Sequence, residues 1–260
     1  MRDVADLERR HGGRLGVAVL DADVSRPVSF HGEQRFPLCS THKVLSVAYV
    51  LARVDAGHES WTRRIPIPSG TLIAHSPVTS TNAGGAMTVA ALCAAAMSVS
   101  DNTAANLLLD SFGGPPALTA FLRRLGDRVT RLDRREPDLN DVAPGDPRDT
   151  TTPLAMAELL RGFTIAHVLS AASRLRLIAL MAACQTGDRK LRAGLLPAWR
   201  VGDKTGSGSL ATTNDVAIVW PSSERPVIIA AYYTGATATT EAEREAVLAD
   251  VGRATAMLVA

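Results

Sequence analysis

The sequence predicts a mixed α/β (α+β) fold: an antiparallel sheet flanked by N- and C-terminal helices, with an all-helical lobe inserted between. Three observations predict it. Strand-like segments occur only toward the two ends, at 14–20 and 27–31, and again at 199–205, 214–220 and 227–234. The last three are joined by short connections, which antiparallel strands permit and parallel ones do not. Everything between reads as helices punctuated by glycine and proline, so the terminal strands are expected to share one sheet. The expected division is 1–38 and 185–260 for the α/β lobe, and 39–184 for the helical lobe. The latter includes an Ω-type loop at about 131–149.

Each element has a local reason. Residues 3–10 form a short helix ended by Gly12-Gly13, and Asp21 to Arg26 turn the first strand into the second. From Ser40 to Gly57 the residues Val44, Leu45, Val47, Ala48, Val50, Leu51 and Val54 make a helix apolar on nearly all sides, hence buried. Residues 58–87 are loop-rich, with Pro66, Pro68, Pro77 and Gly84-Gly85. Helices follow at about 88–97, 102–111 and 116–125, punctuated by Gly113-Gly114 and Gly126. A polar loop covers 128–150. Thr152 then caps a helix with Pro153 at its first position, running to Gly162. Further helices span about 170–184 and 240–258.

Composition excludes several classes. The 260 residues are 46% hydrophobic, enough for a substantial core, and the net charge of +2 leaves no nucleic-acid footprint. No apolar stretch reaches transmembrane length, so no membrane partner is expected. The first ten residues lack the apolar region of a secretory leader. The three cysteines cannot all pair and none lies in C-x-x-C, so no disulfide is expected. Cys93 and Cys184 fall in apolar helical patterns and read as core.

Five stretches carry candidate chemistry. The first is Ser40 and Lys43, three apart at the start of the buried helix, on one face within a turn. A lysine there must be paired or bind its proton less tightly, and the second makes it a base. The plainer reading is a cap and a snorkelling end. Against it stands lysine usage: of 28 Lys+Arg only Lys43, Lys190 and Lys204 are lysine, and lysine, unlike arginine, can be deprotonated in a protein. Ser100-Asp101-Asn102 sets a hydroxyl and a carboxamide at a helix junction, suited to relaying a proton and binding an amide, although these are also ordinary capping residues. Lys204-Thr205-Gly206-Ser207-Gly208 offers a cation, two hydroxyls and glycines that let a ligand approach the backbone. A hairpin turn is its plainer reading. In the long loop, Glu136 can hold a water as general base with Asn140 beside it, and Glu136-Pro137 is a bond at which a cis peptide is accessible. Arg134 and Asp149 can tie the loop's ends together; a solvated charged loop is the alternative. His75 can line a pocket rim or simply sit at the surface. No His/Cys spacing suggests a metal site.

In order and spacing, S-x-x-K, S-D-N, E-x-x-L-N and K-T-G resemble the signature set of the class A serine β-lactamases. The resemblance runs from about Phe36 to Trp220, taking in Leu92-Cys93-Ala94-Ala95-Ala96, Ser100 through Leu109, and Arg148-Asp149-Thr150-Thr151. It implies a β-lactamase/transpeptidase-like fold and hydrolysis of penicillins and cephalosporins through an acyl-serine, conferring antibiotic resistance. Ser40 would be the nucleophile, with Lys43 and Glu136 both candidates for its base. Ser100 would protonate the departing lactam nitrogen. The backbone N–H groups of Ser40 and Ser207 would form the oxyanion hole. Asn102 would hold the substrate's side-chain amide, Lys204, Thr205 and Ser207 its carboxylate, and Glu136 with Asn140 the deacylating water. The resemblance further implies a monomer acting on a small molecule without cofactor or metal, exported to the periplasm or secreted.

The departures from the family carry information. Members place an arginine near the carboxylate; here the strand position holds Thr213, and Lys190 is expected to replace the arginine from the loop. Carbapenem-hydrolysing members bridge the cysteine before the nucleophile to a position that here holds Gly208, leaving Cys39 without that partner. Ser207 is found in broad-spectrum members. The rivals are a D,D-peptidase, which lacks the loop glutamate, and a β-lactam sensor acylated at Ser40 and stalled. An α/β-hydrolase is excluded by the absence of G-x-S-x-G, and a class C enzyme because Tyr49, Tyr232 and Tyr233 do not fit Tyr-x-Asn.

Overall fold

The two ends of the chain build one sheet. The computed structural model describes residues 2–21, 27–141, 143–221 and 225–259, so most of the expected 21–26 turn lies outside the described residues. In chain order the strands are β1 (Arg14–Asp21), β2 (Val28–Phe30), β3 (Phe36–Pro37), β4 (Arg64–Pro66), β5 (Ala86–Thr88), β6 (Thr150–Thr151), β7 (Arg200–Gly208), β8 (Thr212–Trp220) and β9 (Val227–Thr234). The main sheet has the order β2-β1-β9-β8-β7, antiparallel throughout. The first strand thus lies against the last, from Arg14↔Thr234 to Asp21↔Val227.

Both faces of this sheet are covered, which explains why β9 is buried along its whole length. Successive side chains alternate between two cores. Ala18, Leu20, Val216, Ile218, Ile228, Ala230 and Tyr232 join the core of the helical side. Leu15, Val17, Val19, Ala217, Val219, Ile229, Ala231 and Tyr233 join the other. Six helices contribute to the first core: α2 (His42–Asp55), α3 (Val89–Ser98), α4 (Asn102–Ser111), α5 (Gly114–Arg124), α6 (Pro153–Thr164) and α7 (Ala171–Ala182). α1 (Arg2–His11), α8 (Leu191–Gly194) and α9 (Glu241–Val259) supply the second. Val44, Val47, Val50 and Leu51 of α2 are buried with at most 1% exposure, as a helix apolar on most sides requires. Side-chain caps open five of the described helices: Thr88, Asp101, Thr152, Ser170 and Thr240 each accept the backbone N–H three residues on. Each such cap is worth about 1 kcal/mol.

Several local expectations change. Gly162 does not end α6, which continues to Thr164, because an isolated helical glycine costs only about 1 kcal/mol. Cys184 lies just beyond α7 and is buried there. The K-T-G-S-G run is the body of β7 and not a turn; the chain reverses at 209–211. The short pairs β3·β6 and β4·β5 were not expected, being too brief for a two-residue period to show. The Glu136-Pro137 peptide is cis. Cys39, Cys93 and Cys184 are free, buried thiols.

Candidate active site

A 3-10 turn, Cys39–Thr41, feeds directly into α2 and carries Ser40. Its shape is over-determined. Cys39 adopts φ +43°, a strained value for a residue with a side chain. Thr41 Oγ1 donates to Leu38 O at 2.6 Å, and Asn214 Nδ2 of β8 donates to Pro37 O at 2.9 Å. β7 packs so close that a Cβ on Gly206 would lie 3.1 Å from Leu38 O, Ser40 N and Thr41 N. The glycine of K-T-G therefore permits the strand to lie against the turn holding Ser40.

One turn of helix brings Lys43 Nζ to 2.9 Å from Ser40 Oγ. Nζ also lies 2.7 Å from Ser100 O, 3.1 Å from Ser100 Oγ, 2.7 Å from Asn102 Oδ1 and 3.0 Å from Glu136 Oε1. Five oxygens exceed what three N–H bonds can serve at once, a setting suited to an ammonium. Burial lowers the Lys43 pKa, against the opposing charge of Glu136.

Ser100 sits at φ +59° in the turn before α4. Asp101 braces that turn by accepting from Val78 N, Thr79 N, Thr79 Oγ1 and Ala104 N at 2.8–2.9 Å. Lys204 Nζ reaches Ser100 Oγ at 3.1 Å. The serine oxygen thus accepts from two lysines, which occupies both lone pairs and leaves its own proton to be donated elsewhere. Lys204 is fully buried, and its pKa is lowered to about 7 by burial, then by Lys43 and Lys190.

Glu136 hangs from the loop. Asn106 of α4 clasps its backbone, with Nδ2 donating to Glu136 O at 2.8 Å and Oδ1 accepting from Glu136 N at 3.1 Å. Oε1 accepts from Ser40 Oγ at 3.1 Å, and Oε2 from Asn140 Nδ2 at 2.5 Å. The loop's ends are tied as expected: Arg134 Nε donates to Asp149 Oδ2 at 2.6 Å. Burial by itself would raise the Glu136 pKa; the Lys43 charge and the His42 hydrogen bond outweigh it and hold the carboxyl well below the usual range.

Ser40, Lys43, Ser100, Asn102, Glu136, Asn140 and Lys204 form one hydrogen-bonded network. Thr205 follows on β7, its hydroxyl 2.5 Å from that of Thr186, and Ser207 is exposed farther along the strand. His75 stands at the edge: its ring contacts Val99 O at 3.0 Å, and its carbonyl accepts from Asn102 N at 2.9 Å. Lys190 is buried and near enough to Lys204 to depress it. It also faces Asp215 of β8, whose carboxyl is pushed well above the usual range by burial and by Asp203, with Lys190 opposing. Asp203 in turn pairs with Arg192.

Sequence reasoning missed three members. His42, inside S-x-x-K, contacts Glu136; Asn106 holds that residue's backbone; Asp101 supports the Ser100 turn. A polar residue in the mostly apolar, buried first turns of α2 was the available signal for His42. No group of three or more potential metal-binding side chains occurs among the described residues, nor does a helix long and apolar enough to cross a membrane. A cavity of about 570 Å³ between the loop and the strand edges, bordered by Arg14, Arg35, Arg134 and Arg148, shares no residue with the network.

The chain as a whole has recognisable relatives. A model of the beta-lactamase enzyme family matches residues 1–258. The chain is 44% identical to the β-lactamase CTX-M-8 of Citrobacter amalonaticus, over 95% of this chain and 84% of that protein. It is 44% identical to the β-lactamase OXY-2 of Klebsiella oxytoca, over 89% of this chain and 80% of that protein. The solved structure of an ancestral class A β-lactamase superposes with a TM-score of 0.97 at 54% identity, covering 99% of this chain and 98% of the other. By sequence and by fold alike, this chain belongs to the class A β-lactamase family.

Proposed function

We propose that this protein hydrolyses the β-lactam amide of penicillins and cephalosporins through an acyl ester on Ser40, and so confers resistance to them. One observation carries the reading: a continuous proton path from Ser40 through Glu136 and Lys43 to Ser100, with links of 3.1, 3.0 and 3.1 Å. Ser40 Oγ accepts from Lys43 and so directs its proton at Glu136. As Oγ bonds to the lactam carbonyl carbon, that proton passes to the carboxylate. The backbone N–H groups of Ser40 and Ser207 receive the oxyanion. When the C–N bond breaks, Ser100 protonates the nitrogen and is reprotonated by Lys43, which recovers its proton from Glu136. The site returns to ammonium and carboxylate with the acyl group on Ser40.

Deacylation uses the same carboxylate. Glu136 takes a proton from water, the resulting hydroxide adds to the ester carbonyl, and Ser40 leaves with the returned proton. Asn140 Oδ1 is buried and has no partner among the described residues, so it can accept the water's other hydrogen. Asn102 would bind the substrate's side-chain amide. His75 supports the Asn102 turn at the rim.

Lys204, Thr205, Ser207 and Lys190 would bind the substrate carboxylate. Two expectations follow from their electrostatics. Burial and the neighbouring lysines lower the Lys204 pKa to about 7. As pH rises through that value it loses the charge that attracts the carboxylate, so KM for an anionic β-lactam should climb between about pH 6 and 9 while kcat changes less. A KM flat over that range would remove Lys204 from carboxylate binding. Lys190→Ala should raise KM roughly tenfold, the size of one charge-assisted contact; an unchanged KM would remove Lys190 from the substrate site.

The network lies within one chain, which supports action as a monomer, and membership in the family supports a periplasmic or secreted setting. Stopped-flow mixing with a chromogenic cephalosporin tests the central claim. Sustained turnover is expected. A single stoichiometric burst would mean that Ser40 is acylated and not released, as in a sensor or a D,D-peptidase.

A further inference from the structure

His42 lies between the nucleophile and its lysine, with no exposure to solvent. A buried imidazole is costly unless both nitrogens are satisfied. Here both have partners. Nδ1 is 3.2 Å from Ser46 Oγ, one turn along α2, and Nε2 is 3.4 Å from Glu136 Oε1. Ser46 is itself 1% exposed, so two polar side chains stand on the buried part of α2, facing each other, with the His42 ring also reaching the carboxylate. Only one tautomer satisfies the array. An imidazole donating from Nδ1 would turn the Nε2 lone pair on an anion. With the Ser46 hydroxyl donating to Nδ1, the ring proton sits on Nε2 and points at Glu136.

From this arrangement we infer that His42 is a positioning residue for the deacylation base: it donates Nε2–H to Glu136 Oε1 and holds that carboxylate in register once Ser40 is acylated. The reason for the second step is a change in donors. In the free site Oε1 faces Ser40 Oγ at 3.1 Å, Lys43 Nζ at 3.0 Å and His42 Nε2 at 3.4 Å. An esterified Ser40 has no proton to give. Lys43 and His42 then remain on Oε1, with Asn140 on Oε2. Lys43 is also shared among Ser100, Asn102 and the Ser40 oxygen, whereas the Nε2 of His42 has Glu136 as its partner. The charged groups facing the ring are Glu136 from the loop, Lys43 from its own helix and, farther off, Lys204 from β7. Burial, aided by the two lysines, keeps the imidazole neutral against the pull of Glu136. It therefore donates without competing for the proton that Glu136 must accept.

This role rests on the hydrolytic reading of the site, and its test is chosen to fail separately. His42→Phe fills the ring's volume and removes the donor, while His42→Gln places an amide N–H where Nε2 stands. Pre-steady-state turnover of a chromogenic cephalosporin gives acylation and deacylation constants for each. His42→Phe is expected to slow deacylation about tenfold or more, the scale of a small misplacement of a catalytic group. Acylation should change less than about threefold, so kcat and KM fall together and kcat/KM holds. The acid limb of deacylation should move to higher pH, since a donor favouring the charged carboxylate has gone. His42→Gln should recover most of the loss.

Equal falls in kcat and kcat/KM, unaltered kinetics in His42→Phe, or a glutamine variant no better than phenylalanine would each overturn the proposal. The tautomer is tested without any variant having to turn over: nitrogen-15 NMR of the histidine-labelled wild type, with the glutamine variant for assignment, should show His42 as the Nε2–H form. The Nδ1–H form would overturn the proposal whatever the kinetics. Absence of sustained turnover by the wild type would instead strike the hydrolytic reading.

Discussion

Replacing Glu136 by alanine is expected to convert continuous turnover into one acylation per protein molecule. The general-base contribution of such a carboxylate is typically 10²–10⁴-fold, and among the described residues no second carboxylate is hydrogen-bonded to Ser40 or Lys43 to substitute for it. Asn106 grips the Glu136 backbone, and Arg134 with Asp149 closes the loop, so the truncation leaves the loop anchored and removes the base itself. Lys43 loses the anion that most favours its charged form; its pKa falls further, and it becomes a better acceptor for the Ser40 proton. Acylation should therefore suffer less than deacylation. Mass spectrometry of the variant after mixing with a cephalosporin should find the acyl adduct accumulated, with steady-state turnover down about 10³-fold. Wild-type turnover by the variant would remove Glu136 from the mechanism.

How far the sequence revealed this site depends on how local each feature is. Ser40 and Lys43 are legible because one helical turn sets their separation, and Ser100 with Asn102 because a junction and its cap occupy three consecutive residues. The sheet was legible for a related reason: β7, β8 and β9 have eight or nine residues each, long enough for apolar content to show. Glu136 stands 96 positions from Ser40. Nothing local says that they meet, and only the order of four motifs, taken as a resemblance, joined them.

The features that escaped are those whose meaning lies in the aim of a side chain across the fold. His42 was visible as a letter. Its direction depends on the phase of α2 against a loop 94 positions away, so no periodicity could reveal the contact. Asn106 reads as one more polar residue on a helix until the loop is laid beside it. Lys190 was placed by resemblance, but its proximity to Asp215 depends on the register by which β8 and β7 bring Thr205 opposite Asp215. The pairing of Phe36–Pro37 with Thr150–Thr151 joins the base of the nucleophile turn to the end of the loop, and two residues are too few to announce a strand.

Replacing Lys43 by methionine should have a still broader effect, because five oxygens share its ammonium. The side chain is close in volume, so the charge is the main change. Ser100 loses the lysine that relays the Glu136 proton to it, with Lys204 alone left beside its hydroxyl, and acylation and deacylation should both fall by about 10³-fold or more. In contrast to the His42 variants, kcat/KM then falls with kcat. Two electrostatic signatures accompany the loss. Lys43 is the largest cause after burial of the lowered Lys204 pKa, so without it the alkaline loss of binding should move above pH 7. Calorimetric titration of the variant with an anionic β-lactam reads this directly.

The second signature is a change in sign. In the wild type the Glu136 pKa lies below its unfolded value, so this group's stabilisation is present at neutral pH and fades only as strong acid protonates it in the fold. In Lys43→Met the largest cause opposing burial is gone, and burial is expected to carry the folded pKa above the unfolded value against the remaining His42 hydrogen bond, each unit costing about 1.4 kcal/mol at a pH above both. The folded state then binds the extra proton, and stability rises as pH falls from 7 toward 5. Urea unfolding at the two pH values should find the variant more stable at the lower one, with no such gain from Glu136 in the wild type. Equal slopes in the two proteins would mean that Lys43 does not set the charge of Glu136, and the proton path assigned to this site would lose its central link.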